Sequence, residues 1–234
     1  MTIDCALCGG AGFVRHPVPF GHPDFGQAFP CSCQRERLKA LAIEASGLPP
    51  NTEGMRLETL KPRRELKGLS AAGRAARLLL EQKLCFLTLV GEKGVGKTHI
   101  GVGIARGWLD QDRQCLYAQV SRLLERLKHT YDFTPEQAFE LHEPTFDRLF
   151  SRYCDTPLLI LDDLGVEKPT EWAAEKLDTL VDHRYIRHLP TVVTTNILLP
   201  QLPGRIADRL DDGRLGQVIL LTGPSYRTAG KEAL

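Results

Sequence analysis

This 234-residue sequence has almost no net charge, no long apolar run, no internal repeat and no low-complexity tract. Its 30 basic and 29 acidic side chains leave a formal charge of +1. That removes any global electrostatic demand for a nucleic-acid partner, which would normally show as an excess of Lys and Arg. No segment approaches the roughly 18 to 20 consecutive apolar residues of a membrane-spanning helix. The start, MTIDCALCGG, lacks the basic and apolar regions of a secretion signal. The expectation is a cytoplasmic protein with no membrane partner.

What is present is ordinary globular material. A hydrophobic share of 42% and a charged share of 25% allow a sizeable core without cross-links, and the length fits one nucleotide-binding domain with a small appendage. Charge becomes informative only locally. Residues 1–50 carry four basic and four acidic side chains, whereas residues 51–83 carry eight basic against four acidic, a net +4. The second stretch reads as a basic connector or a solvated helix face.

Cysteine is the one residue in surplus. Seven thiols in a reducing compartment point to metal ligation or burial rather than disulfides. Cys85, Cys115 and Cys154 sit in apolar surroundings and read as core. Cys5 and Cys8, two residues apart, and Cys31 and Cys33, one apart, crowd a Gly-, Pro-, Phe- and His-rich stretch with no helical or strand period. Four thiols in two close pairs suit a structural Zn²⁺ site, which would organise a segment too small for a core. Because the second pair is tight, His16 or His22 is an alternative to Cys33 as fourth ligand, and a site with no metal is a further one. Four thiolates around one Zn²⁺ would add two negative charges, a poor match to a phosphate backbone. Protein docking is the better expectation for this module, with Phe13, Val18, Phe20, Phe25 and Phe29 available for an apolar contact patch.

From Leu84 onward short apolar runs at 84–90, 115–120, 158–161, 191–194 and 217–221 alternate with helix-compatible segments. Such alternation predicts a parallel five-stranded sheet between helices. Ser70 is a candidate cap for a helix reaching Lys83. Thr170 is one for a helix whose stripe is Ala173, Leu177, Leu180, Val181 and Arg184.

The strongest motif is GEKGVGKT, Gly91 to Thr98, because it lies between a predicted strand and a predicted helix. A phosphate cradle needs backbone N–H groups close to oxygen, hence Gly91, Gly94 and Gly96 with Val95 between them. Lys97 then neutralises β and γ oxygens, Thr98 offers a hydroxyl to Mg²⁺, and the helix start adds its dipole. LLILDD, Leu158 to Asp163, ends an apolar strand with two carboxylates. Asp162 is the metal-side candidate, and Asp163 the group that orients or deprotonates an attacking water. Asn196 closes the next strand and is a candidate donor to the γ-phosphate.

GKTH at Gly96 to His99, LDDLG at Leu161 to Gly165, RYIRHLPTVVTTN at Arg184 to Asn196, RIADRL at Arg205 to Leu210 and PSYRTAGKE at Pro224 to Glu232 resemble the DnaC and DnaI helicase loaders and the related IstB transposition helpers. The resemblance covers roughly Leu84 to the end. It implies an AAA+ ATPase using ATP and Mg²⁺, with His99 in the nucleotide-binding loop region. It further implies that Arg209 is an arginine finger reaching a neighbour's ATP, with Arg205 as alternate, and that Arg227 acts on its own subunit's nucleotide. Loaders of this kind self-associate through the ATP site, track single-stranded DNA and bind the replicative hexameric helicase. Arg122, Arg126, Lys128, Tyr131 and Phe133 are the DNA-facing candidates here.

The sequence therefore predicts an α/β protein in three parts: a zinc-binding module and helix over 1–50, a basic connector and helix over 51–83, and an AAA+ core over 84–234 without a C-terminal lid. Its expected work is ATP-dependent helicase loading. The alternatives are an IstB-like transposition helper and an ATP-gated adaptor that does not hydrolyse, since the Asp163 side chain is short.

Overall fold

The structure, a computed structural model, describes residues 5–60, 65–165 and 170–226. Two compact units divide at Ala45 and Ser46.

Among the described residues of the first unit, the one extended pairing is β1 (Phe13–Val14) with β2 (Phe29–Pro30), antiparallel and two residues each. A single helix, α1 (Ser32–Ala45), follows and presents no fully buried side chain. Such a unit has almost no hydrophobic core to hold it.

The second unit is built on five parallel strands in the order β4-β5-β6-β3-β7. They are β3 (Phe86–Gly91), β4 (Cys115–Gln119), β5 (Leu158–Leu164), β6 (Thr191–Thr195) and β7 (Gly216–Leu221). All residues of β3 and β6 are buried, as expected where helices cover both faces. One face carries α2 (Leu69–Leu80) and α3 (Lys97–Leu109). The other packs Leu159 and Leu161 against α4 (Val120–His129), α6 (Phe146–Asp155), α7 (Glu171–Ile186) and α8 (Gly204–Leu210). A short α5 (Pro135–Glu140) lies between α4 and α6 in the chain. The outer edge of β4 is covered rather than left open, since the Tyr117 amide donates to Ser46 O at 2.7 Å.

Ile100, Ile104 and Trp108 form the buried stripe of α3, and Thr170 caps α7 by accepting from the Ala173 amide at 3.1 Å. Ser70 is not a cap. The helix begins one residue earlier, after Gly68 (φ 84°), and Ser70 instead accepts from Arg74. The cause is tertiary: Lys67 bridges to Thr222, and a Cβ on Gly68 would meet Leu220 O at 2.2 Å.

Residues 51–83, read above as a connector, lie within the second unit. The stretch 52–60 runs along α3. Arg106 Nε donates to Thr52 O at 2.8 Å, Arg56 pairs with Asp110 at 2.6 Å, and a Cβ on Gly103 would sit 3.0 Å from the Leu57 amide nitrogen. That close backbone approach is why α3 carries glycine mid-helix despite its propensity cost of about 1 kcal/mol.

Candidate nucleotide-binding site

The site lies where β3, β5 and β6 end, which is where ligands bind in open parallel sheets. Gly91 ends β3 and Lys97 begins α3, so residues 92–96 make the loop between them. Gly94 (φ 87°) and Gly96 (φ 101°) adopt left-handed conformations. At Gly94 a Cβ would also lie 1.9 Å from Ser225 Oγ, so both the backbone angle and the approach of the 224–226 segment demand glycine. The Tyr226 amide donates to Gly94 O at 2.9 Å.

Lys97 is buried, and its Nζ donates to Gly91 O (2.7 Å), Glu92 O (2.8 Å) and Asn196 Oδ1 (2.6 Å). An ammonium cannot accept, so the Asn196 oxygen faces it and the Asn196 NH₂ remains the donor end. Thr98 Oγ1 lies 3.2 and 3.1 Å from the two oxygens of Asp162. Asp162, only 3% exposed, also accepts from Tyr117 OH and Thr194 Oγ1, each at 2.6 Å. Burial, and then the charge of Asp162, push the Tyr117 phenol well above its ordinary range.

Adjacent strand residues normally face opposite sides of a sheet, yet both carboxylates serve this site. A bulge explains it. Leu161 pairs with Val193 and Leu164 with Thr195, leaving Asp162 and Asp163 opposite Thr194 alone. Asp163 takes a left-handed φ of 59°, and its amide, freed from the ladder, donates to Thr194 Oγ1 at 3.0 Å. Strain of about 1–3 kcal/mol at such a residue persists only where surrounding contacts fix it, typically at functional sites.

These groups border a cavity of about 490 Å³ lined by Lys93, Gly94, Gly96, Lys97, Thr98, His99, Asp163 and Asn196, and also by Met55, Thr59, Leu60 and Tyr226. Gly91, Val95 and Asp162 flank it without lining it. His99 Nε2 lies 2.9 Å from Arg56 O and 3.3 Å from Thr59 Oγ1, so it ties α3 to the 56–59 segment as well as facing the cavity. The phosphate end is thus cationic and amide-rich, and Thr98 with Asp162 supplies the hard oxygen donors Mg²⁺ prefers. Leu60 and Tyr226 form an apolar wall against the loop itself, since a Cβ on Gly96 would lie 3.7 Å from Leu60 Cδ1 and 3.6 Å from Tyr226 Cε2.

A model of the IstB-like ATP binding protein family matches residues 76–220, more than half of the chain. The chain belongs to the IstB-like ATP-binding family. The replicative helicase loader DnaI of Bacillus subtilis is 29% identical over 47% of this chain and 32% of its own length. The replicative helicase loader DnaC of Escherichia coli is 24% identical over 80% of this chain and 76% of its own. The chain therefore spans about a third of the DnaI loader's length and about three-quarters of DnaC's. The crystal structure of DnaI superposes with a TM-score of 0.60 at 26% identity, covering 75% of this chain and 95% of that one. The AAA+ α/β fold with a five-stranded parallel sheet is shared with these proteins, and no described helix is long and apolar enough to cross a membrane.

The family match begins at residue 76, so the cavity walls Met55, Thr59 and Leu60 precede it. They carry no motif, and nothing in the sequence singles them out. Tyr226 stood beside a flagged residue: Arg227 lies outside the described residues. The remaining arginines occupy α8. Arg209 Nε donates to Asp182 at 2.9 Å with its guanidinium stacked 4.3 Å from the Tyr185 ring, and Arg205 pairs with Asp178 at 3.0 Å. Neither lines the cavity of its own chain.

The DNA-facing candidates divide. Tyr131 packs edge-on against Phe146 and Trp172, and Arg126 lies 3.8 Å from Glu143. A second cavity, about 710 Å³, gathers Arg126, Arg148, Arg152 and His142 beside Phe139, which is 84% exposed.

In the first unit the Sγ atoms of Cys5, Cys8, Cys31 and Cys33 lie within 4.8 Å of one another. Cys5 and Cys31 are 3.8 Å apart, and Cys8 and Cys33 3.4 Å. A ZnS₄ tetrahedron with bonds of about 2.3 Å has edges of about 3.8 Å, so this donor set fits zinc. The Gly12 amide, donating to Cys8 at 3.3 Å, draws that thiol down to about 7, while its hydrogen bond with Cys8 pushes Cys33 up to about 12. His16 stacks on Phe29 and His22 accepts from the Asp24 amide, and neither joins the cluster.

Proposed function

We propose that this chain is an ATP-dependent loader of the replicative hexameric helicase, assembling on single-stranded DNA with ATP binding and hydrolysis as its assembly and release switch. The observation that carries the reading is the cavity where Lys97, Thr98, Asp163 and Asn196 meet, in a chain with loader relatives along most of its length. Lys97 and the loop amides hold the phosphates, and Thr98 and Asp162 hold Mg²⁺, which neutralises charge on the phosphate oxygens. Asp163 orients the attacking water, and the Asn196 amide donates to the γ-phosphate. Met55, Leu60 and Tyr226 enclose the base, and Arg227 acts on the same nucleotide.

Arg209 is the finger for the neighbouring subunit's ATP, with Arg205 as the alternate. On its own chain it is paired with Asp182, so docking exchanges one anionic partner for another and makes hydrolysis assembly-dependent. Single-stranded DNA takes the basic cavity of Arg126, Arg148 and Arg152, with Phe139 available for stacking. Cys5, Cys8, Cys31 and Cys33 hold a structural Zn²⁺, and the module they organise grips the helicase.

Co-purification with the host's replicative helicase tests this, using wild type and Cys5→Ser, alongside ATP turnover with and without single-stranded DNA. A complex lost in Cys5→Ser, with turnover raised by DNA, supports loading. The family's IstB-like description favours a second reading, a transposition helper. Retention of a transposase but no helicase would establish it instead. Absence of hydrolysis in every assembled state would leave an adaptor.

A further inference from the structure

Asp162 is held by more than the phosphate loop. Its two neighbouring strands each send one hydroxyl: Tyr117 from β4 donates to Oδ2 and Thr194 from β6 to Oδ1, both at 2.6 Å. Thr98 Oγ1 sits astride the two oxygens at 3.1 and 3.2 Å. With one short hydrogen bond on each oxygen from opposite sides, the carboxylate has no freedom to rotate about its last bond.

We infer that Tyr117 is a positioning residue for the magnesium site, its phenol fixing the Asp162 carboxylate in the orientation from which it and Thr98 hold the ion. The inference rests on the Mg²⁺–ATP reading above. A buried Tyr hydroxyl usually finds some partner, but this one engages a carboxylate of the site itself. Tyr117 pairs with Ile160 two positions before Asp162, so its side chain reaches along the sheet to the strand end. Hydrogen bonds from outside a ligand set its angle and basicity, and removing them typically lowers metal affinity by about 10–100-fold.

Tyr117→Phe deletes the hydroxyl and keeps the ring. The measurement is affinity for a fluorescent ATP analogue during a Mg²⁺ titration and in EDTA, for wild type, Tyr117→Phe and Asp162→Asn. The expected result is a Mg²⁺ affinity roughly tenfold or more weaker in Tyr117→Phe, with binding in EDTA unchanged, which also shows that the variant is folded. Equal loss with and without Mg²⁺ would mark a structural role and overturn the inference, as would no change in either. A wild type that binds no analogue, or an Asp162→Asn variant that keeps full Mg²⁺ dependence, would instead remove the nucleotide or metal reading beneath it.

Discussion

The two units of this chain are ordered by different means. The described residues of 46–226 bury core on both faces of the sheet: Leu159, Leu161 and Val193 on one, Leu87, Leu89 and Val192 on the other, all wholly inaccessible. Residues 5–45 offer two-residue strands and a helix with no buried side chain, yet bring four thiols within 4.8 Å. In the first case fold information is spread over dozens of replaceable apolar positions. In the second it is concentrated in four residues and whatever they bind. The largest test of that contrast is metal removal. Structural zinc contributes on the order of 10–16 kcal/mol to small domains, so a chelator should expose residues 5–45 to proteolysis while the melting transition of the larger unit stays in place. One zinc per chain by elemental analysis is expected beforehand. A protease pattern unchanged by chelation would remove the contrast.

Next in size is a change that leaves both units folded. Lys97→Ala takes away the cation that ties Gly91, Glu92 and Asn196 together. Loss of one preorganised charge-stabilising donor costs about 10²–10³-fold in turnover, and ATP hydrolysis should fall by at least that, with zinc content unchanged. Third, Arg184→Leu should weaken the larger unit alone. This guanidinium is wholly buried, its pKa lowered to about 10 by that burial, and it donates to the carbonyls of Tyr153, Cys154, Thr156 and Pro190. It thereby satisfies the C-terminal end of α6 and the loops entering β5 and β6. Orphaned buried acceptors cost about 1–3 kcal/mol each. Partial relaxation brings the expected loss to roughly 3 kcal/mol in urea unfolding.

The contrast also explains what sequence could reveal. Sheet and helices were legible because a parallel strand covered on both faces must be continuously apolar, and the phosphate loop because its chemistry forces Gly, Lys and Thr into one short string. The convergence of the four cysteines was legible for a related reason: two close Cys pairs in a segment without helical or strand period have little else to organise around. Met55, Leu60 and Tyr226 were not, because an apolar cavity wall can be built from many side chains. Their arrival depends on the long-range docking of 52–60 on α3 and of 224–226 on Gly94. Tyr117 was hidden differently. On the sequence it is one more residue of an apolar strand, and only the pairing of β4 with β5 brings its hydroxyl to Asp162. The start of α2 was misread at Ser70 because a tertiary bridge at Lys67 outweighed a local capping preference.

The smallest expected effect on stability makes the finest distinction within the first unit. Phe20 is 90% exposed, and its ring meets Phe25 edge-on at 5.3 Å. Phe20→Ser should therefore change the stability of either unit by no more than about 0.5 kcal/mol and leave zinc content intact. Cys5→Ser, by contrast, is expected to lower zinc content and expose the whole module to proteolysis. If the module grips a partner through its exposed aromatics, Phe20→Ser weakens helicase capture while the fold and ATP turnover persist, and the two variants separate docking from folding. If capture survives Phe20→Ser and fails only in Cys5→Ser, the aromatic face is not the grip, and docking must depend on another surface of the metal-ordered module.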